Sequence, residues 1–167
     1  MYKPGDRIIY GSHGVCEILE IELKRIDRKN IEYYILEPIG NQGARFFIPT
    51  QNPQALSKLS PLPKIEQLKA FLLLESDGID VWIEDENTRK QKYKEVIASG
   101  DFTNLIRWVR SLHIHKRMLF DCGKKFHQAD ENFLRDAEKI LTTVFAVVLE
   151  IAEDAVTPYV KDLIANH

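Results

Sequence analysis

The chain has 167 residues, of which 44% are hydrophobic and 29% charged, and a formal net charge of −2. That is the profile of an ordinary soluble globular protein with room for one medium or two small domains. No apolar run approaches the roughly 20 residues needed to span a bilayer. No charged-then-apolar leader opens the chain, so a cytoplasmic location without membrane association is expected. Cys16 and Cys122 form no Cys-x-x-Cys pair and have no His at zinc-ligand spacing, which argues against a disulfide, a structural metal or any cofactor.

Residues 5–22 (Gly-Asp-Arg-Ile-Ile-Tyr-Gly-Ser-His-Gly-Val-Cys-Glu-Ile-Leu-Glu-Ile-Glu) predict a short strand, a tight turn and a longer strand. In the second strand Val15, Leu19, Ile21 and Leu23 share one parity and Ile18, Glu20 and Glu22 the other, so one face is expected in a core and the other in water. Residues 31–36 and 44–49 add further strands, with Arg28-Lys29-Asn30 as the turn before the first of them. Five short strands in about 60 residues make a small antiparallel sheet, which usually closes into an SH3-like or Tudor-like β-barrel. Pro49 to Pro63 is expected to be a covering loop, with Leu56, Leu59 and Leu62 plugging the barrel.

The pattern then changes to helical spacing. A short helix is expected over 64–74, ended by Asp77-Gly78, followed by an apolar and acidic connector over 79–86. A second helix is expected over 87–98, with Gly100 as a left-handed stop and Asp101 as the cap of a third helix that runs to about Phe120. Asp130 is expected to cap a fourth helix, and Thr157-Pro158 to begin a fifth. The predicted fold class is therefore α+β in two domains: a barrel over 1–62 and an all-α helical bundle over 63–167.

Nucleophilic catalysis could start from His13 with Cys16, or from His113, His115 and His127 with Cys122, but no orienting group or oxyanion signature accompanies either set. A protein that is not an enzyme is expected. The stretch from Asn87 to Lys125 holds ten Lys/Arg against three Asp/Glu, a local charge of +7, which suits salt-dependent contact with phosphates. Its plainer reading is a solvated helix face.

The order Gly-Asp-x-Ile-Ile-Tyr-Gly-x-His-Gly-Val-Cys-x-Ile, Glu-Tyr-Tyr-Ile-Leu and Phe-Ile-Pro-Thr resembles the RNA polymerase-interacting domain of the CarD/CdnL/TRCF family of bacterial transcription regulators. Tyr93, Ser99-Gly100-Asp101, Val109-Arg110-Ser111-Leu112 and Ala137-Glu138-Lys139-Ile140-Leu141 follow in the order and spacing of that family's helical DNA-binding domain. The resemblance implies docking on the β subunit of bacterial RNA polymerase through a sheet edge and adjacent basic groups. Lys24 matches one basic contact, and the other falls at Phe47, so Arg45 is expected to replace it. For the helical domain the resemblance implies contact with promoter DNA, for which Arg89, Lys90, Lys92, Arg110 and Lys116 are the candidates.

In the family a tryptophan near the start of the long helix wedges into the minor groove. Here that position falls near Glu86, and the nearest tryptophan is Trp82. Either Trp82 serves after a local shift or the wedge is absent, and Trp82 could equally pack between the domains; Trp108 is expected in the core. Asp130-Glu131 stands where family members often carry basic residues, so DNA binding is expected to be weak until polymerase brings the protein to a promoter. The implied mechanism is a shift in open-complex stability by differential binding. The competing reading is a protein-only adaptor whose helical domain recruits a protein. Neither reading requires a small-molecule ligand, and the first implies association with the nucleoid.

Overall fold

The computed structural model describes residues 1–73 and 81–166. The chain divides into two compact units, residues 1–62 with 98–100 and residues 63–97 with 101–167. The expected helix end at Leu74, the Asp77-Gly78 stop and the start of the acidic connector at Ile79 and Asp80 lie outside the described residues.

The first unit is a five-stranded antiparallel sheet with the order β4-β3-β2-β1-β5. Its strands are β1 (Arg7–Tyr10), β2 (Val15–Ile26), β3 (Lys29–Pro38), β4 (Phe46–Pro49) and β5 (Leu59–Pro61). A single 3₁₀ turn, Gly11–His13, joins β1 to β2, and glycine is suited to both ends of it because Gly11 and Gly14 take positive φ. All five strands contribute to one core: Ile8, Cys16, Ile18, Tyr34, Leu36, Ile48 and Leu59 are all buried. The sheet therefore bends around its own side chains, although no ladder joins β4 to β5 among the described residues.

The expected covering loop holds more order than its composition suggests. It contains a four-residue helix, α1 (Pro53–Leu56), started by Asn52, whose side chain accepts from the N–H groups of Gln54 and Ala55. It also contains β5, whose Leu59 enters the core while Leu56 packs against it. The hairpin turn falls at Asp27 and Arg28, one residue earlier than expected: both have positive φ, and Ile26 pairs with Lys29. A two-residue turn of this kind matches the twist of the flanking strands.

The parity expected for β2 fails from its first half onward: Ile18, on the face expected in water, is fully buried, whereas Leu19, on the face expected in the core, is half-buried. Its register with β3 shifts between Ile18 and Glu20, and β1 pairs with it only from Val15 to Glu17. From Leu23 to Ile26, beyond the last pairing of β4 with β3 at Tyr33, β2 and β3 continue among the described residues as a two-stranded ribbon. Leu23 is accordingly 63% exposed, and Ile21 and Ile26 are also exposed.

The second unit contains α2 (Ile65–Leu73), α3 (Glu86–Ser99) as far as Ile97, α4 (Phe102–Asp121), α5 (Gln128–Leu149) and α6 (Glu153–Ala165). Asp85 precedes α3 and accepts from both the N–H and Oγ1 of Thr88, at 2.8 and 2.7 Å. Gly100 has positive φ at the end of α3, and Asp101 caps α4 by accepting from Thr103 and Asn104, as the sequence predicts.

The core is built from helix-spaced side chains including Leu105, Trp108, Val109 and Leu112 of α4 and Phe133, Ala137, Leu141 and Val144 of α5. Tyr93 stacks on Phe133 with ring centroids 4.1 Å apart and meets Trp108 edge-on at 5.5 Å. On α2, Leu68 is buried while Ile65 is exposed, so the apolar face is narrower than the spacing suggests.

Two helix starts differ from expectation. His127, not Asp130, occupies the cap position of α5, and Asp130 is a buried first-turn residue with a different role. α6 begins at Glu153, so Pro158 lies inside it. Glu153 and Asp154 in the first turn favour that earlier start by complementing the helix dipole, and Val156 is buried as a result.

Candidate functional site

The distal ribbon of the first unit combines an open edge with exposed apolar and basic side chains. Among the described residues, no strand pairs with β2 from Leu19 to Ile26 on the side away from β3. Those backbone groups could accept an added strand. Alternation of Glu20, Glu22 and Lys24 with Ile21 and Leu23 places charges along the edge, which guards it against indiscriminate pairing.

Register puts Lys24 opposite Ile31 and Phe47 opposite Ile35, on one face of the sheet. The Lys24 ammonium lies 4.0 Å from the centre of the Phe47 ring, and Phe47 is 44% exposed. Lys24 is also 3.9 Å from Glu22, a loose surface pair. Lys24 and Phe47 thus come together as one patch. Arg45 does not lie on a strand as expected: β4 begins at Phe46, and Arg45 is an exposed residue before it.

The two residues considered for nucleophilic chemistry in this unit are placed differently. The Cys16 thiol is fully buried and points to the Gly14 carbonyl at 3.8 Å; burial pushes its pKa up to about 12, so it is a thiol at neutral pH. The His13 ring packs on Phe46 at 4.3 Å and on Tyr10 at 4.9 Å.

Residues 2–60 match the family model of the CarD-like/TRCF RID domain. The first unit is a CarD-like RID domain. Such a domain marks an RNA polymerase-interacting, transcription-related protein. The RID match stops short of the helical unit, so the likeness of residues 63–167 to the family rests on sequence order alone. Comparison with curated proteins finds no match to the chain. No helix among the described residues is long and apolar enough to cross a membrane.

In the helical unit most of the basic side chains singled out for DNA are already engaged. Arg89 is 2% exposed and makes a two-pronged pair with Asp130, Nε to Oδ1 at 2.7 Å and the second terminal nitrogen to Oδ2 at 3.0 Å. Its remaining nitrogen donates to the carbonyls of Ile83 and Glu84. The Tyr93 hydroxyl donates to the same carboxylate at 2.5 Å. Burial opposes the charge on Arg89, yet the hydrogen bonds and charge of Asp130 hold its pKa above the usual arginine value. Burial first, and then the adjacent Asp130 carboxylate, raise the pKa of Tyr93. Arg89 is thus a core ion pair rather than a DNA contact.

The others are tied at the surface. Lys90 pairs with Glu86 at 2.8 Å, Lys92 with Glu95 at 3.6 Å and Lys116 with Glu131 at 2.9 Å. Arg110 donates to the Phe71 carbonyl in the last turn of α2 at 2.7 Å, where a cation complements the helix dipole.

Trp82 is sandwiched. The His115 ring stacks on it at 3.5 Å between centroids, and the Arg89 guanidinium lies 4.2 Å from its ring centre. Both faces are occupied from within the helical unit, so in this arrangement the indole is packing rather than a wedge. Beside it opens a cleft of about 560 Å³ whose lining includes His115, Leu119, Lys124, Lys125 and His127. Lys124 and Lys125 belong to the basic stretch but were not singled out by sequence. The signal was present in the turn Cys122-Gly123-Lys124-Lys125, which places two adjacent lysines immediately after a helix stop.

Proposed function

We propose that the protein is a non-enzymatic bacterial transcription regulator that binds the β subunit of RNA polymerase through its RID domain and contacts promoter DNA through its helical unit. The observation that carries this reading is the RID match over residues 2–60 together with the open β2 edge and the Lys24–Phe47 patch. An added strand from the polymerase would supply backbone hydrogen bonds along Leu19–Ile26, Ile21 and Leu23 would bury against it, and Lys24 would meet an acidic group. Regulation follows if the protein binds the open promoter complex better than the closed one, and only to the extent of that difference.

The experiment is binding of the full chain to bacterial core RNA polymerase beside a Lys24→Glu/Phe47→Ala variant. Micromolar or tighter binding that the variant loses supports the reading, and absence of wild-type binding at low salt overturns it.

A second reading, the protein-only adaptor, is favoured by the pairing of Lys90, Lys92 and Lys116 with acids of the same unit. Salt-dependent binding of the full chain to duplex DNA separates the two, because the adaptor requires none.

A further inference from the structure

The hairpin that joins β2 to β3 carries charge in a pattern of its own. Within the seven residues 24–30, Lys24, Arg25, Arg28 and Lys29 stand against Asp27 alone, a local charge of +3. Arg25, Arg28 and Lys29 are exposed and form no ion pair among the described residues. A run of surface charge is commonplace; what sets this one apart is the backbone that carries it.

Arg28 sits where an arginine is out of place. Asp27 has φ +48 and Arg28 φ +66, so both central residues of the two-residue turn are left-handed. Aspartate tolerates that conformation, and glycine is the usual second residue because any Cβ there crowds the backbone. Arginine strains the turn, and with no ion pair it returns nothing to the hairpin that would offset the strain. Such an outlier points to a role outside the fold, and what a guanidinium offers outside the fold is a partner for an anion.

Register distributes the cations around the ribbon. Arg25 pairs with Asn30 and Ile26 with Lys29, which places Arg25 on one face, Lys29 on the other and Arg28 at the tip between them. Glu32, opposite Leu23, shares the Arg25 face, and its carboxylate accepts from the Thr50 hydroxyl at 3.0 Å.

That distribution selects the occupant. A flat acidic protein surface or an anionic membrane meets one face of a ribbon and leaves the cation on the other face in water. The major groove of B-DNA is walled by phosphates on both sides, is about 12 Å wide and about 8.5 Å deep, and admits a two-stranded ribbon. At about 3.3 Å per residue the two-stranded stretch Leu23–Ile26 is about 13 Å long, enough to reach the floor of that groove. We infer that the β2–β3 hairpin of the RID domain enters the major groove of duplex DNA tip-first. Arg25 and Lys29 then meet phosphates of opposite walls, and Arg28 reaches the base edges, where a guanidinium pairs with guanine. Asp27 beside it meets the cytosine amino group there rather than a phosphate. This contact is made by the RID domain and does not rest on the one proposed for the helical unit. Strand addition along Leu19–Ile26 would widen the ribbon past the groove, so the hairpin takes DNA only in protein that is free of polymerase.

The test is dimethyl sulfate footprinting of a mixed-sequence duplex by the full chain without polymerase, since the reagent methylates guanine N7 on the major-groove floor. Wild type is expected to protect guanines at low salt. Arg28→Gly gives the turn its preferred Asp-Gly sequence, so it removes the guanidinium and leaves the hairpin intact. It should abolish the protection and lower the slope of log affinity on log salt by about one, and Arg25→Ala/Arg28→Gly/Lys29→Ala should lower that slope by about three.

Guanine protection undiminished by the triple substitution overturns the proposal, as does wild-type binding that leaves guanine N7 open. No wild-type binding to DNA at low salt overturns it too. Loss of polymerase binding by the triple variant, with DNA binding and its salt slope unchanged, would assign the cations to polymerase and contradict the groove contact.

Discussion

The two units handle their charges in opposite ways. In the RID domain, Lys24 lies over an exposed ring with only a loose acidic neighbour, while Arg25, Arg28, Lys29 and Arg45 are exposed and form no ion pair among the described residues. In the helical unit, Arg89, Lys90, Lys92 and Lys116 are each answered by an acid. Three of those acids, Glu86, Asp130 and Glu131, lie just outside the Asn87–Lys125 window whose local charge is +7. A charge count along a window therefore overstates the field that a partner meets, because helices bring in counter-charges from neighbouring turns and elements. Of the basic residues in that window, Lys94, Arg107, Arg117, Lys124 and Lys125 are exposed and form no ion pair among the described residues.

The contrast is broken most severely at its buried end. Asp130→Ala should destabilise the helical unit by about 3–5 kcal/mol, because it leaves the Arg89 guanidinium charged in the core and removes the partner of Tyr93. Urea unfolding measures it. An apolar replacement of both Arg89 and Asp130 should recover much of the loss, since a filled core does not require the pair.

In the RID domain the prediction is the reverse. Lys24→Glu/Phe47→Ala should leave unfolding within about 0.5 kcal/mol of wild type, as surface changes do, while weakening polymerase binding at least about tenfold.

A smaller effect probes the end of α4, where the Gly123 N–H donates to the Phe120 carbonyl. Gly123→Ala meets nothing within 4 Å, so its cost is the left-handed backbone alone, about 1 kcal/mol of stability in the same unfolding assay.

The smallest is a pH effect at the start of α3. Hydrogen bonds from the Thr88 hydroxyl and N–H hold the Asp85 carboxyl below its ordinary pKa. A depressed folded pKa contributes stability that is present above the unfolded value and lost as pH falls through the folded one. Asp85→Ala should therefore lower stability near neutral pH and flatten its decline on the acid side, as followed by thermal unfolding from pH 7 to pH 3.

Local signals made much of this molecule legible. Glycines flanked by β-branched residues located β1 and the turn after it, and Gly100-Asp101 located the α3–α4 boundary. The periodicity of α5 located its buried face. What escaped depended on which elements end where. The exposure of Ile21 and Leu23 follows from β1 pairing no further than Glu17, which no property of β2 itself announces. Asp130 looked like a helix cap because caps are local and common, whereas its partner Arg89 is 41 residues away. Trp82 could be placed only through His115 and Arg89.

The most direct test of the account is amide hydrogen exchange of the full chain with and without bacterial core RNA polymerase. An added strand on the open edge requires new protection in Leu19–Ile26 when polymerase is present. Binding that leaves those amides as fast as in the free protein, with protection confined to other segments, would contradict it.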